Sequence, residues 1–425
     1  MFARLRNDFP ILDTRIGESP LSYLDSGATS QKPQCVIDTF TEYYSQRNAA
    51  VHRGAHSLAV MATDAFEAGR RAVADLVGGA PEQVCWTKNA TEALNIVALG
   101  MDRASRGLGG SEASRFAVSP GDSIVVTEME HHANLVPWQQ LAEATGATLR
   151  WLSVTESGEL DLTDLESIVD ESTKVLAFTH VSNVLGTINP VETLVARAHA
   201  VGALVVLDAC QSVPHMPVDL PGLGVDFAAF SAHKALGPTG LGVLWGRTEL
   251  LDALPPVLTG GSMITTVTME GAAFMPAPQR FEAGTQPVAE VAAFATALGY
   301  LAEVGLENVL AHEQELVRIL LDGIAEIPGI RVLGAAENRI GAVAFDVDGV
   351  HAHDVGQYLD SQGVAVRVGH HCAQPLHRRF GVTASTRAST YLYNDVEDCR
   401  RFLAALSEVR PFFGLGDSAG EGAAS

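Results

Sequence analysis

A lysine ends an apolar run in the stretch FSAHKALGPTG, residues 230–240. Residues 225–230 read as a short buried strand, which puts Lys234 at the strand's carboxyl end, where open α/β sheets hold their ligands. A lysine so placed is either solvated or chemical, and no other lysine is expected at this strand end. The run ALVVL ends in Asp208, with Gln211 just beyond, so an acid and an amine should face one crevice from neighbouring strand ends. The pair suits pyridoxal 5′-phosphate, whose aldehyde condenses with a lysine and whose ring nitrogen needs a carboxylate partner to draw off electrons. It suits equally a helix-capping aspartate and a surface lysine, and the spacing alone does not choose.

Other residues add to the pattern. In KNATEALNIVALGM (88–101), Asn89, Ala90 and Thr91 precede an apolar-periodic helix whose free N–H groups can take a phosphate, unless Asn89 or Thr91 simply caps it. Ser231 and His233 offer further hydrogen bonds, and FEAGT brings Gly284 and Thr285 in another small-residue loop. His131, in EMEHHAN, can lie flat on a pyridine ring and move protons. Asn183, in THVSN, suits a ring oxygen or a turn. In RVGHHCAQPL, Cys372 follows Arg367 and two histidines, an electropositive setting that favours thiolate over thiol. A metal cluster of His370, His371, Cys372 and His377 is the rival there, although adjacent ligands and a gap do not match common zinc spacing. Arg387, in STRAST, could clamp a carboxylate with two parallel hydrogen bonds.

The elements that must position these residues follow a simple alternation. DSIVVTEMEHHAN, KVLAFTHVSN, GALVVLDACQS and VDFAAFSAHK are β-branched or apolar runs ending in polar clusters, separated by helical or loop patterns such as PVETLVARAHAVG. This predicts an α/β fold with a mainly parallel, helix-covered sheet. Later, IGAVAFDVDG, HAHDVGQYLDSQ and GVAVRVGHHC read as a βαβ-like unit of a smaller α+β domain spanning 290–413. Residues 103–117 read as an exposed loop, and 414–425, rich in Gly, Ala and Ser, as a disordered tail.

Composition excludes several classes. With 50 acidic and 28 basic residues, a net charge of -22 opposes phosphate-backbone binding, so nucleic acid is not an expected partner. The amino terminus lacks the apolar core of a secretory signal, and the most apolar helical stretch is broken by Glu290 and Glu303, so no membrane association is expected. Five scattered cysteines without CxxC spacing argue for a reducing, cytoplasmic setting and against a disulfide framework or structural zinc.

Taken with LSYLDSGATSQKP, HRGAHSLA, EHHANLVPWQ, SAHKALGPTGLGVLWG, GGSMI, RFEAGT and RASTYLYN, these motifs resemble the SufS-like group II cysteine desulfurases. That family also includes selenocysteine lyases and belongs to the fold-type I pyridoxal-phosphate enzymes. The resemblance implies a large domain, 26–289, with a mainly parallel seven-stranded sheet, a small domain, 290–413, and a segment, 1–25, packing on the small domain. It implies Lys234 as the Schiff-base lysine, Asp208 as partner of the ring nitrogen, Gln211 and Asn183 near the ring oxygen, and His131 stacked on the ring. Ala90, Thr91, Ser231 and His233 would hold the phosphate, while Gly284 and Thr285 would reach the other protomer's cofactor in a homodimer. Arg387 and Asn183 would bind the substrate carboxylate, with Ala28, His56 and Arg367 lining the substrate pocket. Cys372 would take sulfur from L-cysteine as a persulfide, release L-alanine, and pass the sulfur to a SufE- or SufU-type acceptor for iron–sulfur cluster assembly. Ala90 departs from the family, in which many members carry a second threonine there. Selenocysteine lyase is the alternative within the chemistry, and a non-catalytic His/Cys metal-binding protein the alternative outside it.

Overall fold

The computed structural model describes residues 2–415. Seven apolar runs form one sheet: β1 Val84–Thr87, β2 Ser123–Thr127, β3 Thr148–Leu152, β4 Thr173–Thr179, β5 Leu204–Asp208, β6 Phe227–Ser231 and β7 Gly242–Gly246. Their spatial order is β1-β7-β6-β5-β4-β2-β3. Strands β2 to β6 run parallel to one another, and β7 runs antiparallel to both β1 and β6. Except for the edge strand β3 and two positions in β4 and β5, every strand residue is buried, as expected of a sheet covered on both faces. The chain passes from β2 outward to β3 and returns to β4 on the other side of β2. That reversal opens a crevice at the carboxyl ends of β2 and β4, where open α/β sheets bind ligands.

Three helices matter to the site or its support: α1 Ser57–Leu76, α2 Ala90–Ser105 and α3 Val136–Thr145. Of the stretch expected as an exposed loop at 103–117, residues 106–110 are loop and 106–112 are exposed, but 103–105 close α2 and Ser111–Phe116 form a short 3-10 helix. Phe116 is fully buried beside Phe227, so one aromatic anchor ties down the far end. The apolar helix α4, Val288–Val304, packs on α1, and among the described residues no single helix is long and apolar enough to cross a membrane.

Beyond α5, Leu306–Ala325, a second sheet forms from β8 Ile330–Val332, β9 Ala342–Val347, β10 Arg367–Gly369 and β11 Ser385–Ser389. Its order, β8-β9-β11-β10, is antiparallel throughout. The unit β9, then α6 Ala352–Ser361, then β10 is therefore a split βαβ, with β11 inserted between its two parallel strands. Composition could not foresee the insertion, because β11 comes later in the chain. A second apolar cluster lies here, around Leu316, Leu320, Phe345, Leu359 and Phe402. Near the amino terminus, Ser22–Tyr23 pairs in parallel with Val364–Ala365, Leu24 joins this second cluster, and Arg6 bonds Asp398 at 2.8 Å. Most of the tail foreseen at 414–425 lies outside the described residues.

Candidate active site

Four strands of the parallel sheet, β2, β4, β5 and β6, deliver polar side chains to the crevice. His131 follows β2, Asn183 follows β4, Asp208 ends β5, Ser231 ends β6, and Lys234 sits in the 3-10 turn Ala232–Lys234 directly after β6. These residues, with Ala28, Ala90, Thr91, Gln211, His233, Arg367, Cys372 and Arg387, line one cavity of about 230 Å³. A larger hollow of about 910 Å³ surrounds Glu159, His180, Glu192 and Asp219, but it contains neither a lysine nor a cysteine.

At the α2 end, Asn89 caps the helix, its Oδ1 accepting from the Glu92 amide at 2.9 Å, while the Ala90 amide donates to Ser231 Oγ at 2.9 Å. Gly242 makes this approach possible: a Cβ there would lie 2.5 Å from the Asn89 backbone. The helix N-terminus, Thr91, Ser231 and His233 thus form a cradle of donors suited to a phosphate. Asp208, buried, takes the Cys210 amide on Oδ1 at 3.0 Å, and Gln211 is held by donation to the Gly27 carbonyl at 2.9 Å. With an amine at Lys234 and a carboxylate at Asp208, the donor set fits pyridoxal phosphate.

The histidines here are uncharged. Burial, reinforced by Lys234, pulls His131 down to about 4. Its Nδ1 accepts from the Ala133 amide at 3.0 Å, which leaves the ring proton on Nε2. Burial and then Lys234 and Lys32 bring His233 to about 4 as well. Lys32 corrects an expectation: its Nζ donates to the His233 carbonyl at 2.9 Å, so a second lysine does stand at this strand end. Burial pulls that amine down to about 7, yet Lys32 does not line the cavity. Nothing local to the motif signals it, because Lys32 lies about two hundred residues away in the chain.

Arg387, on β11, is 2% exposed and spends two of its five N–H groups, Nη1 on the Asn183 carbonyl at 2.7 Å and Nη2 on Asp25 at 3.3 Å. Its Nε has no partner within the protein, so donors remain for an incoming carboxylate. Gly27 lies against it so closely that an added Cβ would sit 3.0 Å from Cζ and Nη2. Arg367 is half-exposed at the cavity mouth, 3.9 Å from Asp25.

Cys372 occupies a turn between β10 and helix α7, Gln374–Arg379, and is partly exposed, whereas Cys85, Cys210 and Cys399 are buried. His371 and Cys372 both have left-handed backbones, φ +48° and +56°, a conformation costing residues with a Cβ about 1–2 kcal/mol each. The turn is tethered to hold it: Asn183 Nδ2 donates to the His371 carbonyl at 2.8 Å, and the His371 ring meets Ser385 Oγ at 3.0 Å. The expected source of positive charge needs correcting. Burial, with help from Arg387, drives His371 down to about 2, so Arg367 and Arg387, not His371, are the cations that share the cavity with the thiol. Among the described residues no three His, Cys, Asp or Glu side chains converge as metal ligands.

Three expected residues lie elsewhere. His56 is exposed and caps α1, its Nδ1 accepting from the Ala59 amide at 3.3 Å. Gly284 and Thr285 follow Glu282, which is locked to Arg70 by two bonds of 2.7 and 3.0 Å, and Thr285 borders a separate hollow with Trp86 and Gly240. None of the three enters this chain's own cavity.

Comparison with known proteins decides the family. Residues 22–402 match the family described as Aminotransferase class-V. A probable cysteine desulfurase 2 of Mycobacterium leprae is 55% identical over 96% of this chain and 97% of its own length. The chain belongs to the class-V aminotransferase family, among the cysteine desulfurases. A cysteine desulfurase of Haloferax volcanii is 44% identical over 96% of the chain and 97% of its own. Of solved structures, the apo cysteine desulfurase of Thermococcus onnurineus superposes with a TM-score of 0.88 at 38% identity, covering 96% of this chain and 97% of that one. The Escherichia coli cysteine desulfurase CsdA gives 0.87 at 35% identity, covering 97% and 99%. The fold-type I architecture expected from the motifs is the one observed, and this desulfurase relative carries the cavity at the sheet's switch point.

Proposed function

We propose that this pyridoxal-phosphate-dependent cysteine desulfurase takes sulfur from L-cysteine onto Cys372, releases L-alanine and hands the sulfur to a SufE- or SufU-type acceptor. The convergence of Lys234, Asp208, Arg387 and Cys372 on one cavity carries this reading. Pyridoxal phosphate, when bound, supplies the electron sink that loosens the bonds at an amino acid's Cα. The Asp208 carboxylate would partner the ring nitrogen; Ala90, Thr91, Ser231 and His233 would hold the phosphate, and Gln211 and Asn183 would serve the ring oxygen. His131, neutral with a proton on Nε2, would stack on the ring and offer a donor. Arg387 orients the substrate through its carboxylate, beside Ala28 and Arg367. Lys234 takes the Cα proton. The Cys372 thiolate attacks the substrate sulfur, forming the S–S bond as the substrate C–S bond breaks, which leaves a persulfide on Cys372.

The turn carrying Cys372 is short and tethered, so the persulfide cannot travel far and an acceptor must bring its own thiol to it. Gly284 and Thr285, away from this chain's cavity, are assigned to the partner's cavity in a homodimer, while His56, capping α1, is left out of this chain's substrate pocket. We divide the chain as 1–25, 26–289 and 290–413, and place the enzyme in the cytoplasm as a sulfur source for iron–sulfur cluster assembly. The test is Cys372→Ser. This variant should keep the bound cofactor's absorbance and form no protein persulfide, because a hydroxyl is a weak nucleophile toward sulfur. Undiminished persulfide would move the role to another cysteine. Alanine release should rise when a SufE- or SufU-type protein is added at saturating cysteine, and a rate already maximal without it would remove the acceptor from the scheme.

A further inference from the structure

We propose that His132 is a positioning residue that brackets Cys372 and keeps its thiol aimed into the cavity. The proposal rests on the reading of Cys372 as the sulfur-accepting thiol. The His132 amide donates to the Cys372 carbonyl at 2.6 Å, and its Nε2 accepts from the Gln374 amide at 3.2 Å. One residue from the β2 side thus holds the chain on both sides of Ala373. Gln374 opens α7, whose N-cap position, Ala373, offers no side-chain acceptor to the first amides. The imidazole arrives from a distant segment to do what a serine or aspartate does in a local cap.

The bracket matters because of what it holds. His371 and Cys372 are both left-handed residues with a Cβ, which persist only where their surroundings over-determine them. Asn183 and Ser385 grip His371, before the thiol, and the Ala373 amide closes the turn internally on the His370 carbonyl at 2.8 Å. His132 provides the tethers on Cys372 itself and on the residues after it. It is also the neighbour of His131, which lines the cavity, so the cavity wall and the thiol's turn are joined through one peptide unit. In EMEHHAN the first histidine faces the cavity and the second faces the turn.

The test uses the holoenzyme. His132→Phe keeps the ring shape and the backbone bond but loses the acceptor; His132→Gln restores an acceptor at nearly the same reach; Gln374→Pro removes the donor from the other end, at a helix position that tolerates proline. Iodoacetamide labelling is read by mass spectrometry as the ratio of Cys372 to the exposed Cys35, alongside persulfide yield in a single turnover, KM for cysteine and cofactor absorbance. His132→Phe and Gln374→Pro should each raise the labelling ratio and lower persulfide yield about five- to tenfold, the loss of one hydrogen bond. Absorbance and KM should stay near wild type, and His132→Gln should recover both readouts. Unchanged ratios in the Phe and Pro variants overturn the proposal. Equal impairment of the Gln variant with loss of cofactor absorbance also overturns it, since that marks a merely structural histidine. If His132→Phe does not fold, Gln374→Pro carries the test. If wild type places no sulfur on Cys372, the functional reading fails, while the labelling ratio still decides the bracket.

Discussion

Replacing Gly27 by alanine adds one methyl group where the structure has no room for it. The new Cβ would stand 3.0 Å from Arg387 Cζ and Nη2 and 3.2 Å from Ser389 Oγ. Comfortable carbon contacts lie at about 3.5–4.0 Å, so one partner must retreat by about half an ångström. The Gly27 backbone is poorly placed to yield: its amide donates to Ser389 Oγ at 2.8 Å and its carbonyl accepts from Gln211 at 2.9 Å. The guanidinium is the part that moves, away from Asp25 and from the position in which its free donors meet a carboxylate. Misaligning one bidentate charge-assisted pair costs about 1.5–3 kcal/mol, or about 10- to 100-fold in kcat/KM for cysteine. Steady-state alanine release measures it, with the cofactor's absorbance as a control for the rest of the cavity. A kcat/KM within twofold of wild type would refute the assignment of the carboxylate to Arg387.

Borohydride reduction of the holoenzyme should fix the cofactor to Lys234, and Lys234→Ala should release no alanine while remaining folded; peptide mapping that finds the label on Lys32 overturns the assignment. Arg387→Lys should lower kcat/KM by about 10- to 100-fold, because an ammonium cannot make two parallel bonds, and unchanged kinetics would count against the clamp. Burial lowers His131, His180 and His233 to about 4 from an ordinary value near 6.5. Below 6.5 the unfolded chain takes up protons that the folded chain refuses, so their contribution is full above that pH and is lost as pH falls toward 4. Thermal melts should show Tm dropping across that window, and His180→Gln should flatten the slope; an identical slope in the variant would contradict the burial argument.

The strand-end residues were legible because their rule is local. An apolar run followed by Asp208, Ser231 or Lys234 needs only the knowledge that parallel strands end along one edge. His131 and Asn183 were found in the same way, and they flank the switch point. What escaped depended on partners distant in sequence. Lys32 reaches the His233 carbonyl from the amino-terminal loop, β11 inserts between strands that precede it, and Phe116 anchors the far end of a segment whose composition reads as loop. His371 was misjudged for the same reason. Its neighbours in sequence suggested a charged imidazole, whereas its burial and the approach of Arg387 come from the fold.

The insertion of β11 fixes a length. Arg387 lies directly across from Arg367 in the β11–β10 register, and the chain leaves β10 at Gly369 to reach the thiol turn three residues later. Arg387, the proposed anchor for the substrate's carboxylate, and Cys372, the proposed sulfur acceptor, are therefore carried by one strand of a small sheet and by the turn leaving its neighbour, like the jaws of a caliper. Lys234 and Asp208 belong to a different sheet. Asn183, beyond β4 of that larger sheet, clasps both jaws, its carbonyl taking Arg387 Nη1 and its side chain bonding the His371 carbonyl. The gap between the jaws and their depth over the larger sheet are thus set by one residue, so a change at Asn183 should disturb both together.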